Sequence, residues 1–170
     1  MKLFHLKSVG ILLTLLILAI TFRCELNAET KTQLLIQYIK PVSATCIRAV
    51  DGDTIIVNIA GVKERVRLIG VDTPETKHPR KPVQHFGKEA YNFTWRMAEG
   101  KKVRLEFDQN QRDKYKRLLA YVYLENGTFL NAEIVKQGYG HAYTKFPFKY
   151  MQEFGIYEKE ARIRKRGLWK

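Results

Sequence analysis

Cysteine is nearly absent: the 170 residues contain two, Cys24 and Cys46. A disulfide-stapled scaffold is excluded if the first is lost with a leader, because one remaining thiol forms no internal bridge. Stability must then come from packing, with or without a metal. Acids are also scarce, 17 against 30 lysines and arginines, for a formal net charge of +13. No internal repeat or low-complexity tract is present, so nothing points to a solenoid or a disordered array. Long uncharged apolar runs are missing too, apart from one near the start.

That run, residues 9–22, follows Lys2 and Lys7 and precedes the small residue Ala28. Charged, then apolar, then small is the order of a secretory signal peptide. The run is short for a membrane span, although with its flanks it can serve as an uncleaved anchor. Two locations follow: secreted and extracellular after cleavage near Ala28, or membrane-anchored and facing outside. Arg23 before Cys24 is the wrong context for lipidation. Residues 1–28 carry Lys2, Lys7, Arg23 and Glu25, net +2, so +11 of the +13 stays with the remainder. Such a charge draws polyanions, nucleic acid or acidic cell-surface polymer, or else only solubilises the surface. Residues 29–41, ending at Pro41, read as a linker, and 42–170 as one domain able to bury an ordinary core.

Along that domain the sequence predicts three strands in a meander. Asp51-Gly52 separates the first two, as a hairpin turn whose central residues need positive φ, and the second pair turns near Val62 and Lys63. Pro74, Pro79 and Pro82 make residues 72–84 a loop. Phe86, Ala90, Phe93, Trp95 and Met97 suit one helix face, closed by Gly100. Two strands follow, "KVRLEFD" and "LLAYVYLE", then a short helix over 128–137 capped by Thr128, and an amphipathic helix over 151–166. Five strands with a helix after the third fit a mainly β, α+β fold: a five-stranded OB-type Greek-key barrel with three α-helices. An open α+β sandwich is the alternative.

The stretch "RLIGVDTPET" puts a cation and two carboxylates within ten positions. If the second and third strands pair as a hairpin, Asp53 lies beside Asp72. Two carboxylates at one rim, with no soft donor nearby, make a hard oxygen site suited to Ca²⁺ or Mg²⁺. Asp51 reads as a turn residue. Glu75, one proline turn on, can act as general base or orient a water. Arg67 and Arg117 offer guanidinium forks that clamp a phosphate.

"VDGDT", "RLIGVDTPETKHP", "FGKEA", "DKYKRLLAYVY" and the closing "GLW" together resemble the thermonuclease, or staphylococcal nuclease, family over roughly residues 42–169. The resemblance implies an OB-fold barrel and a calcium-dependent phosphodiesterase acting on DNA and RNA as substrates, leaving 3′-phosphate ends. It makes Asp53, Asp72 and the Thr73 carbonyl the Ca²⁺ ligands, and Arg67, Glu75 and Arg117 the catalytic residues. Lys114, Tyr115 and Tyr143 match positions that contact the nucleotide. No obligate protein partner is implied, and the domain reads as a monomer. Two departures stand out. Thr144, Lys145 and Phe146 follow Tyr143 where a second tyrosine is usual, and Lys116 and Leu118 flank Arg117 where glycines are common. A non-catalytic OB module that binds nucleic acid by charge and stacking is the second reading. A cationic surface adhesion protein is the third.

Overall fold

The computed structural model describes residues 40–76 and 84–170. The leader, most of the linker and the middle of the proline loop lie outside the described residues. Seven strands and three α-helices are described: β1 (Val42–Asp51), β2 (Thr54–Ile59), β3 (Val62–Leu68), β4 (Val71–Asp72), α1 (Gly87–Ala98), β5 (Lys102–Arg112), β6 (Leu118–Leu124), α2 (Leu130–Lys136), β7 (His141–Ala142) and α3 (Met151–Ile163). A 3₁₀ turn, Gly167–Trp169, closes the chain.

β1, β2, β3, β6 and β5 close into a barrel. The closing seam is the parallel pair β3–β6, with Val66 opposite Leu118 and Arg67 opposite Leu119. Closure removes the free sheet edges an open sandwich would leave, so the sandwich alternative falls. Alternation sets the faces: Ile55 and Val57 of β2, Val66 and Leu68 of β3, and Leu105 of β5 are fully buried, while Arg67 points the other way between two core residues.

Both hairpin turns differ from expectation. Asp51 pairs with Thr54, so the first loop is Gly52-Asp53, and neither residue has positive φ. Gly52 is needed instead for close approach, since a Cβ there would meet the Thr73 side chain at 2.7 Å. The two-residue loop with positive φ is Ala60-Gly61, at 49° and 92°, between the paired Ile59 and Val62. That is the twist-matched hairpin geometry, two residues earlier than the sequence suggests.

α1 buries Gly87, Ala90, Thr94 and Ala98 fully; of the predicted face, Ala90 is buried and Phe93 and Met97 pack partly against the core, while Trp95 is 45% exposed. Small residues win because the helix lies close on the barrel, where Thr94 Oγ1 donates to the Gly52 carbonyl at 2.6 Å. α2 has no side-chain cap: Phe129 is its N-cap, and the Thr128 carbonyl accepts the Leu124 N–H. α3 ends at Ile163, three residues short of expectation, and buries Phe154 and Ala161. The short pair β4–β7, unpredicted, joins Asp72 to His141 in register.

Candidate active site

The β1–β2 turn, the end of β3 and β4 meet at one end of the barrel. Asp53, in the turn, is 6% exposed; its Oδ1 accepts the Thr54 hydroxyl and its Oδ2 the Thr73 N–H at 3.0 Å each. Arg67 extends outward from β3 into the same place. Its Nη2 lies 3.0 Å from Asp53 Oδ2 and 3.2 Å from Asp72 Oδ1, and its Nη1 donates to the Leu68 and Val71 carbonyls at 3.0 and 2.5 Å. One guanidinium nitrogen thus joins both predicted carboxylates. The hairpin brings Asp53 beside Arg67 and Leu68, whose N–H donates to the Asp53 carbonyl, and the chain then turns back through Gly70 to deliver Asp72.

Two further acids stand close enough to repel. Asp51 fills its expected turn role, accepting the Asp53 N–H at 3.2 Å. Burial first, and then the adjacent Asp53 with a contribution from Glu75, pushes its carboxyl up to about 7. Asp72 is raised as well: partial burial dominates, Asp53 and Glu75 add to it, and Arg67 and His141 oppose it. The Glu75 main chain is held by a reciprocal pair with Gln84, its N–H donating to Gln84 Oε1 at 2.8 Å and its carbonyl accepting the Gln84 N–H at 3.0 Å. Gln84 lies across the undescribed part of the proline loop and was not singled out in the sequence.

A dication suits this donor set. The groups are hard carboxylate oxygens whose mutual repulsion one arginine only partly offsets. Among the described residues no three His, Cys, Asp or Glu side chains close around one point. Two carboxylates completed by carbonyl and water oxygens is an arrangement that six-to-eight-coordinate calcium accepts more readily than octahedral magnesium. Asp53 and Asp72, with the Thr73 peptide bonded to Asp53 through its N–H, are the residues that could hold it.

Arg117 belongs to a second group in the β5–β6 loop. It precedes Leu118, which pairs with Val66, so it sits at the mouth of the β3–β6 seam, two residues before Leu119, the register partner of Arg67. Its Nε meets Asp113 Oδ2 at 2.6 Å, and its side chain is 26% exposed. Tyr115, 68% exposed, is flanked by cations, with Lys114 Nζ 5.0 Å and Arg117 Cζ 5.4 Å from its ring centre. Lys116 adopts φ 64°, the left-handed region, which explains why glycine would suit that position. Tyr143 follows β7 and donates its N–H to Gly70 at 2.9 Å; its ring lies 6.1 Å from exposed Phe146. The structure therefore joins Asp53, Arg67, Asp72 and Thr73 directly, sets Glu75 within electrostatic range of Asp51 and Asp72, and brings Lys114, Tyr115 and Arg117 as one loop. No direct contact links Arg117 to the carboxylates among the described residues. An open cavity of about 680 Å³ lies at the other end of the barrel beside Ser43, Gly61 and Lys102, away from all of these.

Besides Gln84, sequence reasoning missed two residues that shape the site. Buried Asn131 accepts the Val122 N–H and donates to the Ile69 and Ala120 carbonyls, tying α2 to the segment leading into β4. Only its place in an apolar helical run hinted at this. Asp113 was legible as an acid four residues before Arg117.

The family of staphylococcal nuclease homologues matches residues 65–170, which takes in every predicted site residue except Asp53. A thermonuclease of Staphylococcus hyicus is 45% identical over 124 residues, 72% of this chain and 73% of that protein. A thermonuclease of Staphylococcus intermedius is 46% identical over 123 residues, with the same shares covered. Endonuclease YncB of Bacillus subtilis is 43% identical over 133 residues, 76% of this chain and 63% of its own length. A closed five-stranded barrel, an acid cluster bridged by arginine, and identity of this extent across most of both chains together place the protein in the staphylococcal nuclease family, as a nuclease that hydrolyses nucleic acid.

Proposed function

We propose that this nuclease is calcium-dependent and cuts the P–O5′ bond of DNA and RNA, leaving 3′-phosphate ends. The observation that carries the reading is the single Arg67 nitrogen shared by Asp53 and Asp72, with Glu75 and Asp51 in electrostatic range. Calcium, when bound, supplies charge neutralisation at a phosphate oxygen and a place for water. Glu75 accepts or steers the proton of the water that attacks phosphorus in line with the departing 5′-oxygen. Arg67 and Arg117 offset the negative charge that accumulates on the phosphate oxygens as the bond order rises. Lys114, Tyr115 and Tyr143 hold the flanking nucleotides by charge and by stacking, which favours single strands and reads sequence weakly.

Incubating the purified protein with single-stranded DNA and with RNA, in calcium, in magnesium and in chelator, tests this. The expected outcome is cleavage of both substrates in calcium, weaker cleavage in magnesium, none in chelator, and fragments that accept a 5′-label only at newly formed 5′-hydroxyls. Full activity in chelator, or fragments carrying 5′-phosphate, would rule the reading out.

A further inference from the structure

Arg117 is held by one residue in two ways. Asp113 Oδ1 accepts the N–H groups of Tyr115 at 2.9 Å and of Arg117 at 3.0 Å, closing the turn that ends at Arg117. Its Oδ2 meets Arg117 Nε at 2.6 Å. The backbone completes the turn, with Asp113 N–H donating to the Arg117 carbonyl and Lys116 N–H to the Asp113 carbonyl. A second brace comes from β3: Glu64 takes a two-point contact from Arg112 at 2.7 and 3.0 Å, and Arg112 also donates to the Lys116 carbonyl at 2.7 Å. Lys116 keeps its left-handed φ inside this frame. The contact to Arg117 is made through Nε alone, and the two terminal nitrogens donate to no other described residue.

A guanidinium gripped at Nε has a fixed plane while its outward pair of N–H groups stays available for a two-point contact with phosphate. We propose that Asp113 is a positioning residue that sets the orientation of the Arg117 fork before substrate arrives. The inference rests on the catalytic reading of Arg117 and deepens it: Asp113 touches neither substrate nor metal, and acts only through Arg117. Orientation fixed in advance lowers the reorganisation left to the transition state, and small misplacements of such a group are costly.

The test is a double-mutant cycle on the full chain, with kcat and KM measured on a single-stranded DNA oligonucleotide in saturating calcium. Asp113→Asn keeps an oxygen to cap the two N–H groups but presents an amide in place of the charged partner of Nε. Its kcat should fall on the order of tenfold, with KM changed by less than about threefold. Asp113→Ser caps the turn with a hydroxyl too short to reach Nε, and should show the same split. In an Arg117→Ala background neither change should lower kcat further, because the residue they act through is gone. A merely structural Asp113 predicts the opposite, equal losses in both backgrounds, and that result overturns the proposal. If Arg117→Ala lowers kcat while Asp113→Asn and Asp113→Ser leave it unchanged, Asp113 is again excluded and Arg117 stands. If Arg117→Ala keeps wild-type kcat, the catalytic reading of Arg117 itself fails.

Discussion

Ala60 carries a side chain where the backbone asks for none. Its φ of 49° lies in the left-handed region, and it shares the β2–β3 turn with Gly61, which holds φ 92° at no steric cost. Asparagine tolerates that region because its side chain bonds the local backbone. Ala60→Asn should therefore stabilise the protein by about 1 kcal/mol by relieving the turn. A thermal melt should show a midpoint a few degrees higher; an unchanged or lower midpoint contradicts this account of the turn. At this scale the sequence was informative wherever chemistry demanded a residue type. Arg67, Asp53 and Asp72 could be placed together because paired acids and a cation on neighbouring strands have few other uses. What stayed hidden were conformational demands, the left-handed Lys116 and Phe86 among them, since no side-chain property announces them.

Among the elements, the junction of β5, β6 and α3 depends on a carboxylate outside the active site. Asp108 on β5 accepts the hydroxyl of buried Tyr121 on β6 and the N–H of Lys149, just before α3, at 3.0 Å. Partial burial pushes the Asp108 carboxyl up, but the Tyr121 hydroxyl and the Lys149 and Gln109 N–H groups outweigh it and hold it below the ordinary carboxylate range. A depressed folded-state value contributes stability above the unfolded-state value, and that contribution is lost as pH falls through the folded one. Asp108→Asn should thus lower the melting temperature at pH 7, and its difference from wild type should shrink as the pH is taken below about 4, the usual carboxylate value. A difference independent of pH would contradict the role given to the charge. Element types were largely legible here, because β-branched alternation and Gly-bounded runs mark strands and helix ends. Boundaries and caps were not: β4 and β7 are two residues each, too short for periodicity, and close packing of α1 on the barrel puts Thr94 and Ala98 at its buried centre, with Phe93 and Met97 at the edge and Trp95 exposed.

For the whole molecule, the barrel brings distant segments together at one seam. Parallel pairing of β3 with β6 sets the Arg117 loop beside the strand that carries Arg67, although the two arginines are 50 positions apart in the sequence. The five-strand count suggested the barrel, but strand order alone carried neither this parallel closure nor the clip that Asn131 makes between α2 and the segment before β4. The net charge of +13 makes the surface attractive to polyanions in general and so says little about turnover. Arg67 is a poor probe of catalysis, because it also satisfies two carbonyls and two carboxylates, and removing it would strip the fold of those contacts. Arg117, at 26% exposure and tied to one acid, separates chemistry from folding. The most direct measurement is therefore kcat together with the equilibrium affinity for a single-stranded oligonucleotide, for wild type, Arg117→Ala and Arg117→Lys, each with a melt confirming the fold. Alanine should lower kcat on the order of a hundredfold or more, as for removal of a preorganised donor, with affinity changed far less. Lysine should restore little, because an ammonium cannot make the planar two-point contact. Turnover near wild type with collapsed affinity would make Arg117 a binding residue and contradict the mechanism.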